Sequence, residues 1–333
     1  MRLRTRGLFS IRRLRRALSD RLRGTPFDRA LDAAIKTGNR DFVFGWNRGL
    51  GDIALGLVPL FARIRARCPD SRIVVVTRPD LAEMAALAGV DDVVIVDDLA
   101  RDAPVDPLRM AENRGIVFRH PPTVFADPDP TRWLDGQRQT FAPRLVWDAS
   151  RDAQALHFAP PIDGRIVIGA HVNSETAQYY GYVKDWPAES WRALIARFPA
   201  ERGVQWLLFG NAPQPRFEFS NVTDVRGSTS LHELLALVRT QCRVLLAPDS
   251  GILTAVFYLE QNRALDVVSL WSDPRQGILK QGCASPNPAL KHHALLGRDD
   301  DVRNLSVDDV DHALTAIIED VSCRSHPDLA RAD

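Results

Sequence analysis

Runs of consecutive β-branched residues, separated by segments of helical length, restrict the fold of this chain more than any other feature. Ile73-Val74-Val75-Val76 and Ile166-Val167-Ile168 are two such runs. A strand that is apolar on both sides has to be covered on both faces, which a parallel sheet between two helix layers provides. The spacing predicts a helix over 27–36, a strand over 41–46, a helix over 53–67 stopped by Pro69, and a strand over 71–77. A helix over 81–88 and a strand over 93–96 complete the first cycle. The stretch 102–161 is rich in Pro and Asp and offers 116–118 as its one clear strand. At Arg165 the pattern starts again, with strands over 166–170, 205–209 and 243–247, and a last strand over 266–270. Helices over 188–197, 231–238 and 252–259 alternate with them. A terminal amphipathic helix over 307–321 opens at Ser306 as N-cap, with Asp309 in its first turn.

Two successive α/β, doubly wound halves are therefore expected. In such sheets ligands bind beyond the carboxyl ends of the strands, so two facing edges make one deep cleft. The expected organisation is a basic extension over 1–40, a first domain over 41–161, a second over 162–305, and a C-terminal helix and tail over 306–333. With 45% hydrophobic residues in 333, two ordinary cores can be filled. The four cysteines, Cys68, Cys242, Cys283 and Cys323, form no CxxC pair, so neither a zinc site nor a disulfide framework is indicated. No apolar run reaches 18 residues, and arginines break the start where a secretory signal would be continuous. A cytoplasmic protein without a bound metal or cofactor is expected.

Charge is distributed unevenly. The first 24 residues carry nine Arg and one Asp, leaving 34 basic against 41 acidic groups in the remainder. Leu8, Ile11, Leu14, Leu18 and Leu22 form an apolar stripe flanked by Arg12, Arg13, Arg15, Arg16, Arg21 and Arg23. A helix of that kind over residues 8–23 can lie on an anionic membrane surface at the inner face of the cytoplasmic membrane. It can equally be a solvated extension. Nucleic acid is not expected as a partner, because the arm offers only Phe9 for stacking and the body is acidic.

Three segments sit where strands end. The first is Asn47-Arg48-Gly49-Leu50-Gly51-Asp52, a loop whose Gly49 and Gly51 permit a tight turn while Asp52 opens a helix. It is not GxGxxG, and Asp52 would repel a dinucleotide pyrophosphate, which disfavours a dehydrogenase. Asp52 reads either as a chemically active carboxylate or as a helix cap. The second segment, Tyr182 to Trp191, contains Lys184, one of four Lys against 39 Arg. A compact ammonium there suits a phosphate or sugar oxygen, although an exposed Lys of no consequence fits the same residues. Pro187 sets the helix start, and Trp186 and Trp191 are packing residues. In the third, Ala247-Pro248-Asp249-Ser250-Gly251, Ser250 and the following amides form a helix N-terminus suited to phosphate, and Asp249 can accept from sugar hydroxyls. An Asp-Ser capping turn is the plain alternative. Ser250 lacks the GxSxG context of a nucleophile.

Taken in order, GLGD after the first strand, KDWPAESW before the second domain's first helix, GSTSLHELLALV over 227–238 and PDSG after a buried strand resemble glycosyltransferase family 9. These are the heptosyltransferases of bacterial lipopolysaccharide synthesis, and the likeness spans roughly 41–282. It implies the two-Rossmann type B glycosyltransferase (GT-B) fold and an inverting, metal-independent transfer of a sugar, heptose among the candidates. The donor would be a nucleotide sugar such as ADP-heptose, and the acceptor a cell-envelope glycan or glycolipid. By the same resemblance Asp52 is the base, Lys184 holds the donor's phosphate or sugar, and Asp249, Ser250 and Gly251 complete the donor pocket. The family's usual His three residues after that Gly is Thr254 here. Its acidic residue after the strand ending at Gly210 is replaced by Asn211-Ala212-Pro213-Gln214-Pro215.

Two rival readings share the fold expectation: a nucleotide-sugar epimerase or hydrolase, and a nucleotide-sugar-binding scaffold without turnover. For the acceptor, the candidate contacts are Arg119, His120, Arg132 and Arg138, which also read as solvated loop charges.

Overall fold

A computed structural model describes residues 24–128, 144–158, 164–260, 263–282 and 284–325. The chain divides into two compact units, Met1–Arg48 with Asp52–Ala142 and Gly49–Gly51 with Pro143–Asp333. Residues 8–23 of the basic arm lie outside the described residues, as do Arg132 and Arg138.

In the first unit, β1 (Asp41–Trp46), β2 (Arg72–Thr77), β3 (Asp92–Ile95) and β4 (Thr123–Phe125) form a parallel sheet in the order β3-β2-β1-β4. Five of six residues are buried in β1 and in β2, as their unbroken apolar runs require. Val43, Val74, Val76 and Val94 pack with Ala111 on one face. Each buried Val is worth about 1.5–3 kcal/mol relative to exposure. The helix Pro26–Thr37 starts with a capping box between Thr25 and Asp28 and stops at Gly38, which adopts φ 72°. The expected strand over 116–118 is absent. Among the described residues that segment has no partner strand, and Thr123–Phe125 pairs with β1 instead.

The segment after β1 is not one uniform α-helix. A single turn Leu50–Asp52 leads into a π-helical turn Ile53–Leu57, and a regular helix follows over Val58–Arg67. Pro59 accounts for the irregularity, because its ring has no N–H and crowds the carbonyl four residues back, which the wider turn accommodates.

In the second unit, β5 (Ile166–His171), β6 (Val204–Phe209), β7 (Val222–Asp224), β8 (Val244–Pro248), β9 (Leu265–Trp271) and β10 (Leu290–Leu296) form a fully parallel sheet. Its order is β10-β9-β8-β5-β6-β7. Trp186, Trp191 and Trp206 pack with Leu194, Val310 and Leu314 from the helices Ala188–Arg197 and Val307–Ser325. Ser306 caps the latter helix, accepting from the Asp309 N–H at 3.1 Å. Expecting β9 to be the last strand proves wrong, since β10 pairs with it over seven residues. The polar sequence of β10 finds partners on β9: His292 meets Ser269 at 2.6 Å and His293 meets Asp266 at 3.0 Å.

Among the described residues, no helix is long and apolar enough to cross a membrane.

Candidate functional site

The strand order of the second unit reverses between β5 and β8. The chain leaving β5 runs one way across the sheet and the chain leaving β8 the other, which opens a crevice at their carboxyl ends. Asp249 follows β8 directly, and Lys184 reaches it with Nζ 2.6 Å from Oδ2, their side chains 18% and 8% exposed. The residues flanking Lys184 hold it there. Gly181 ends the helix Glu175–Tyr180 at φ 69°, and the Asp185 carboxylate accepts the Ser174 N–H at 2.6 Å. Buried Trp186 donates to the Leu305 carbonyl at 2.9 Å. The Val183 carbonyl accepts from the Ser272 hydroxyl, which itself accepts the Val302 N–H at 2.9 Å. With both sides tied down, the ammonium is presented to Asp249 at little further entropic cost.

Asp249 is seated by its own surroundings. Its N–H donates to the Leu270 carbonyl at 3.1 Å. Gly277, at φ 48°, leaves the space that the carboxylate fills: a Cβ there would lie 2.6 Å from Asp249 Oδ1 and 2.9 Å from the Trp271 ring. Trp271 Nε1 donates to Ser269 Oγ at 2.6 Å, the oxygen that also meets His292 Nε2. Burial, with His293 alongside, pushes the His292 pKa down to about 4, so a neutral imidazole completes this network at neutral pH. Nothing in the sequence pairs Gly277 or Trp271 with Asp249. A Gly just past a buried strand is the only signal available.

Ser250 caps the helix Gly251–Tyr258, its Oγ accepting the Leu253 N–H at 3.2 Å. Buried Thr254 donates its hydroxyl to the Ser250 carbonyl at 3.0 Å. A Cβ on Gly251 would lie 2.8 Å from Leu50 Cδ2 and 3.1 Å from the Gly51 amide nitrogen, so any larger residue makes this turn shift. Gly49–Gly51 belong to this unit, and a Cβ on Gly51 would in turn meet Thr254 Oγ1 at 3.2 Å. The two glycine turns therefore pack backbone to backbone. Cation, carboxylate and helix N-terminus are thus gathered at one sheet edge, a combination suited to an anionic, hydroxylated ligand.

Two buried residues nearby were not singled out from the sequence. Arg226 donates to Asp224 at 2.6 Å and to the carbonyls of Pro213 at 3.3 Å and Pro215 at 2.8 Å. It thereby organises the Pro-interrupted stretch after Gly210. His171 closes β5, 6% exposed, with Nδ1 buried and unpartnered. Burial pushes its pKa down to about 4. An unfolded histidine near 6.5 takes up a proton that this one refuses, so His171 lowers stability as pH falls from 6.5 towards 4, by roughly 3 kcal/mol in all. Denaturant unfolding at pH 7.5 and pH 4.5 should show His171→Asn losing less stability than the wild type. An equal loss in both would exclude this assignment.

The first unit holds the remaining candidates. Asn47 is buried and donates to the carbonyls of Ala100 at 2.8 Å and Ala103 at 2.9 Å, which fixes the turn after β1. Arg48 pairs with Asp127 at 2.7 Å and Asp102 at 3.6 Å, its guanidinium 5.8 Å from the Trp46 ring centroid. Asp52 is half-buried and makes no side-chain capping bond to the π turn that it precedes. Arg119 and His120 are exposed just before β4. In a parallel sheet that is the amino-terminal edge, beside Asn39, whose Nδ2 donates to the Pro121 carbonyl at 3.1 Å. The structure does not bring them to the loop containing Asp52, which follows the carboxyl end of β1.

No protein-family model and no curated protein matches the sequence. Solved structures do match the fold. A family 9 glycosyl transferase from Veillonella parvula aligns over 84% of this chain and 98% of its own, with TM-score 0.58 and 17% identity. The Escherichia coli ADP-heptose lipopolysaccharide heptosyltransferase II aligns over 85% and 99%, with TM-score 0.55 and 16% identity. This chain has their GT-B fold. The E. coli glycosyltransferase TibC, described as iron-containing and dodecameric, aligns over 85% of this chain and 76% of its own at TM-score 0.51 and 12% identity. Among the described residues, no three His, Cys, Asp or Glu side chains converge as a metal site. The family that the sequence motifs resemble is thus also the source of structures sharing this fold.

Proposed function

We propose that the chain is a glycosyltransferase that moves a sugar, heptose among the candidates, from a nucleotide-sugar donor to a glycan or glycolipid acceptor, with inversion at the anomeric carbon. The observation that carries this reading is the Lys184–Asp249 pair at the β5/β8 crevice, beside the Ser250-capped helix. An ammonium has three N–H donors, so engagement by Asp249 is compatible with a phosphate oxygen on the same head. In the proposed reaction the acceptor hydroxyl loses its proton to Asp52 as its oxygen bonds to the anomeric carbon. The bond from that carbon to the diphosphate oxygen breaks on the opposite face. Lys184 and the amides at Ser250-Gly251 take up the negative charge on the leaving diphosphate, the role of preorganised donors in a low-dielectric site. No step in this scheme calls on a metal.

Calorimetric titration of ADP-, GDP-, UDP- and dTDP-sugars tests the reading. One sugar nucleotide should bind in the micromolar range and remain intact when no acceptor is supplied. Rapid donor conversion without acceptor would instead indicate an epimerase or hydrolase, and absence of binding across the whole panel would refute the donor site.

A further inference from the structure

Three of the chain's four tyrosines, Tyr179, Tyr180 and Tyr182, fall within four residues of one another, immediately before Lys184. Tyr179 and Tyr182 are 58% and 54% exposed, and Val183 beside them is 39% exposed. Tyr180 stands between the two outer rings, edge-on to Tyr179 at 4.9 Å and tilted against Tyr182 at 5.9 Å. Lys184 Nζ lies 5.6 Å from the Tyr182 ring centroid. Large side chains left in water usually sit on mobile backbone, but this backbone is held. The Tyr182 N–H donates to the Ala177 carbonyl at 2.9 Å, Val183 is tied to Ser272, and Asp185 is tied to Ser174. Exposed rings on a held backbone, packed against one another, have less freedom to lose on meeting a ligand than rings on a loose loop.

We infer that Tyr182, backed by Tyr180 and Tyr179, is a stacking platform for the transferred sugar of the donor, an inference that rests on the nucleotide-sugar reading of Lys184. Chemistry selects the sugar over the base. In a nucleotide sugar the transferred ring is bonded directly to a phosphate oxygen, whereas the base is separated from the diphosphate by the ribose. A ring 5.6 Å from the phosphate-binding ammonium is therefore within reach of the transferred sugar. The electron-rich face of a tyrosine attracts the slightly positive C–H face of a pyranose, as it attracts the positive edge of another ring. Lys184 and Tyr182 would then read two adjacent parts of one molecule, phosphate and sugar. That would make Tyr182 a determinant of which sugar is accepted.

The test compares each nucleotide sugar of the panel with its own nucleoside diphosphate, by calorimetry, on the full chain and on Tyr182→Ala, Tyr182→Phe and Tyr182→Trp. Tyr182→Ala should weaken the bound nucleotide sugar about tenfold and leave the matching diphosphate unchanged, while Phe and Trp retain wild-type affinity. Equal weakening of sugar nucleotide and diphosphate would place the base or phosphates on Tyr182 and overturn the inference. So would unchanged affinity in the Ala variant. If no member of the panel binds the wild-type chain, this inference falls together with the reading of function. A loss confined to the Tyr182→Ala variant cannot be a folding defect where its diphosphate affinity is intact.

Discussion

Asp52→Asn is expected to lower kcat by about 10²–10⁴-fold while leaving donor affinity close to wild type. Asn preserves the shape of the side chain and removes its ability to take a proton, so the substitution separates basicity from geometry. The local structure makes the distinction sharp. Were Asp52 a helix cap, its carboxylate would accept from an amide of the following turn, and removing its charge would cost stability. The side chain makes no such capping bond to the π turn Ile53–Leu57. A capping role is therefore not what the carboxylate supplies at this position. Steady-state kinetics with a saturating donor, alongside calorimetric donor binding, reads both quantities. A variant that turns over at the wild-type rate sinks the base assignment, and one that binds donor poorly as well moves Asp52 from proton transfer to substrate positioning.

How far the sequence discloses all this depends on burial. Strands such as β2 and β8, covered on both faces, announce themselves as Val and Leu runs, and their limits shift by only a residue or two. Of the four edge strands only β3, expected over 93–96 and found over Asp92–Ile95, is read in the same way. β10 reads LKHHALL and is nowhere fully buried, its two histidines meeting Ser269 and Asp266 on the neighbouring strand, so nothing local marks it. β4 and β7, three residues each, carry too little pattern to be seen. The GSTSLHE motif is legible for a different reason. Gly227 turns at φ 75°, and Ser230 with Glu233 closes a capping box, so its residues serve short-range bonds. Within the site, Lys184 stands out because Lys is scarce, and Asp249 because it follows a buried strand. Their pairing, the room left by Gly277 and the orphaned Nδ1 of His171 are products of contacts across tens of residues, which no window of sequence contains.

The Lys184–Asp249 pair allows a second large effect to be separated from mere structure. Lys184→Met leaves an 8%-exposed carboxylate without its cation, and the fold should lose about 3 kcal/mol, the low end for a buried pair because Lys184 itself is 18% exposed. Asp249→Asn leaves an ammonium that can shift towards water, and should cost less, about 1 kcal/mol. Joining Lys184→Met with Asp249→Leu removes both charges and fills the space with apolar atoms. Stability should then return to within about 1 kcal/mol of wild type, since an apolar replacement of a buried pair is often neutral. Donor affinity should not return with it. A charge-assisted bond to a phosphate oxygen is worth about 1.5–3 kcal/mol, so both variants lacking Lys184 should bind the nucleotide sugar at least tenfold more weakly than wild type. If the pair were only a structural clamp, the double variant would recover affinity in step with stability, and the donor assignment of Lys184 would have to be abandoned. Recovery of stability alone means that the ammonium is held beside Asp249 in order to meet something that the protein does not itself contain.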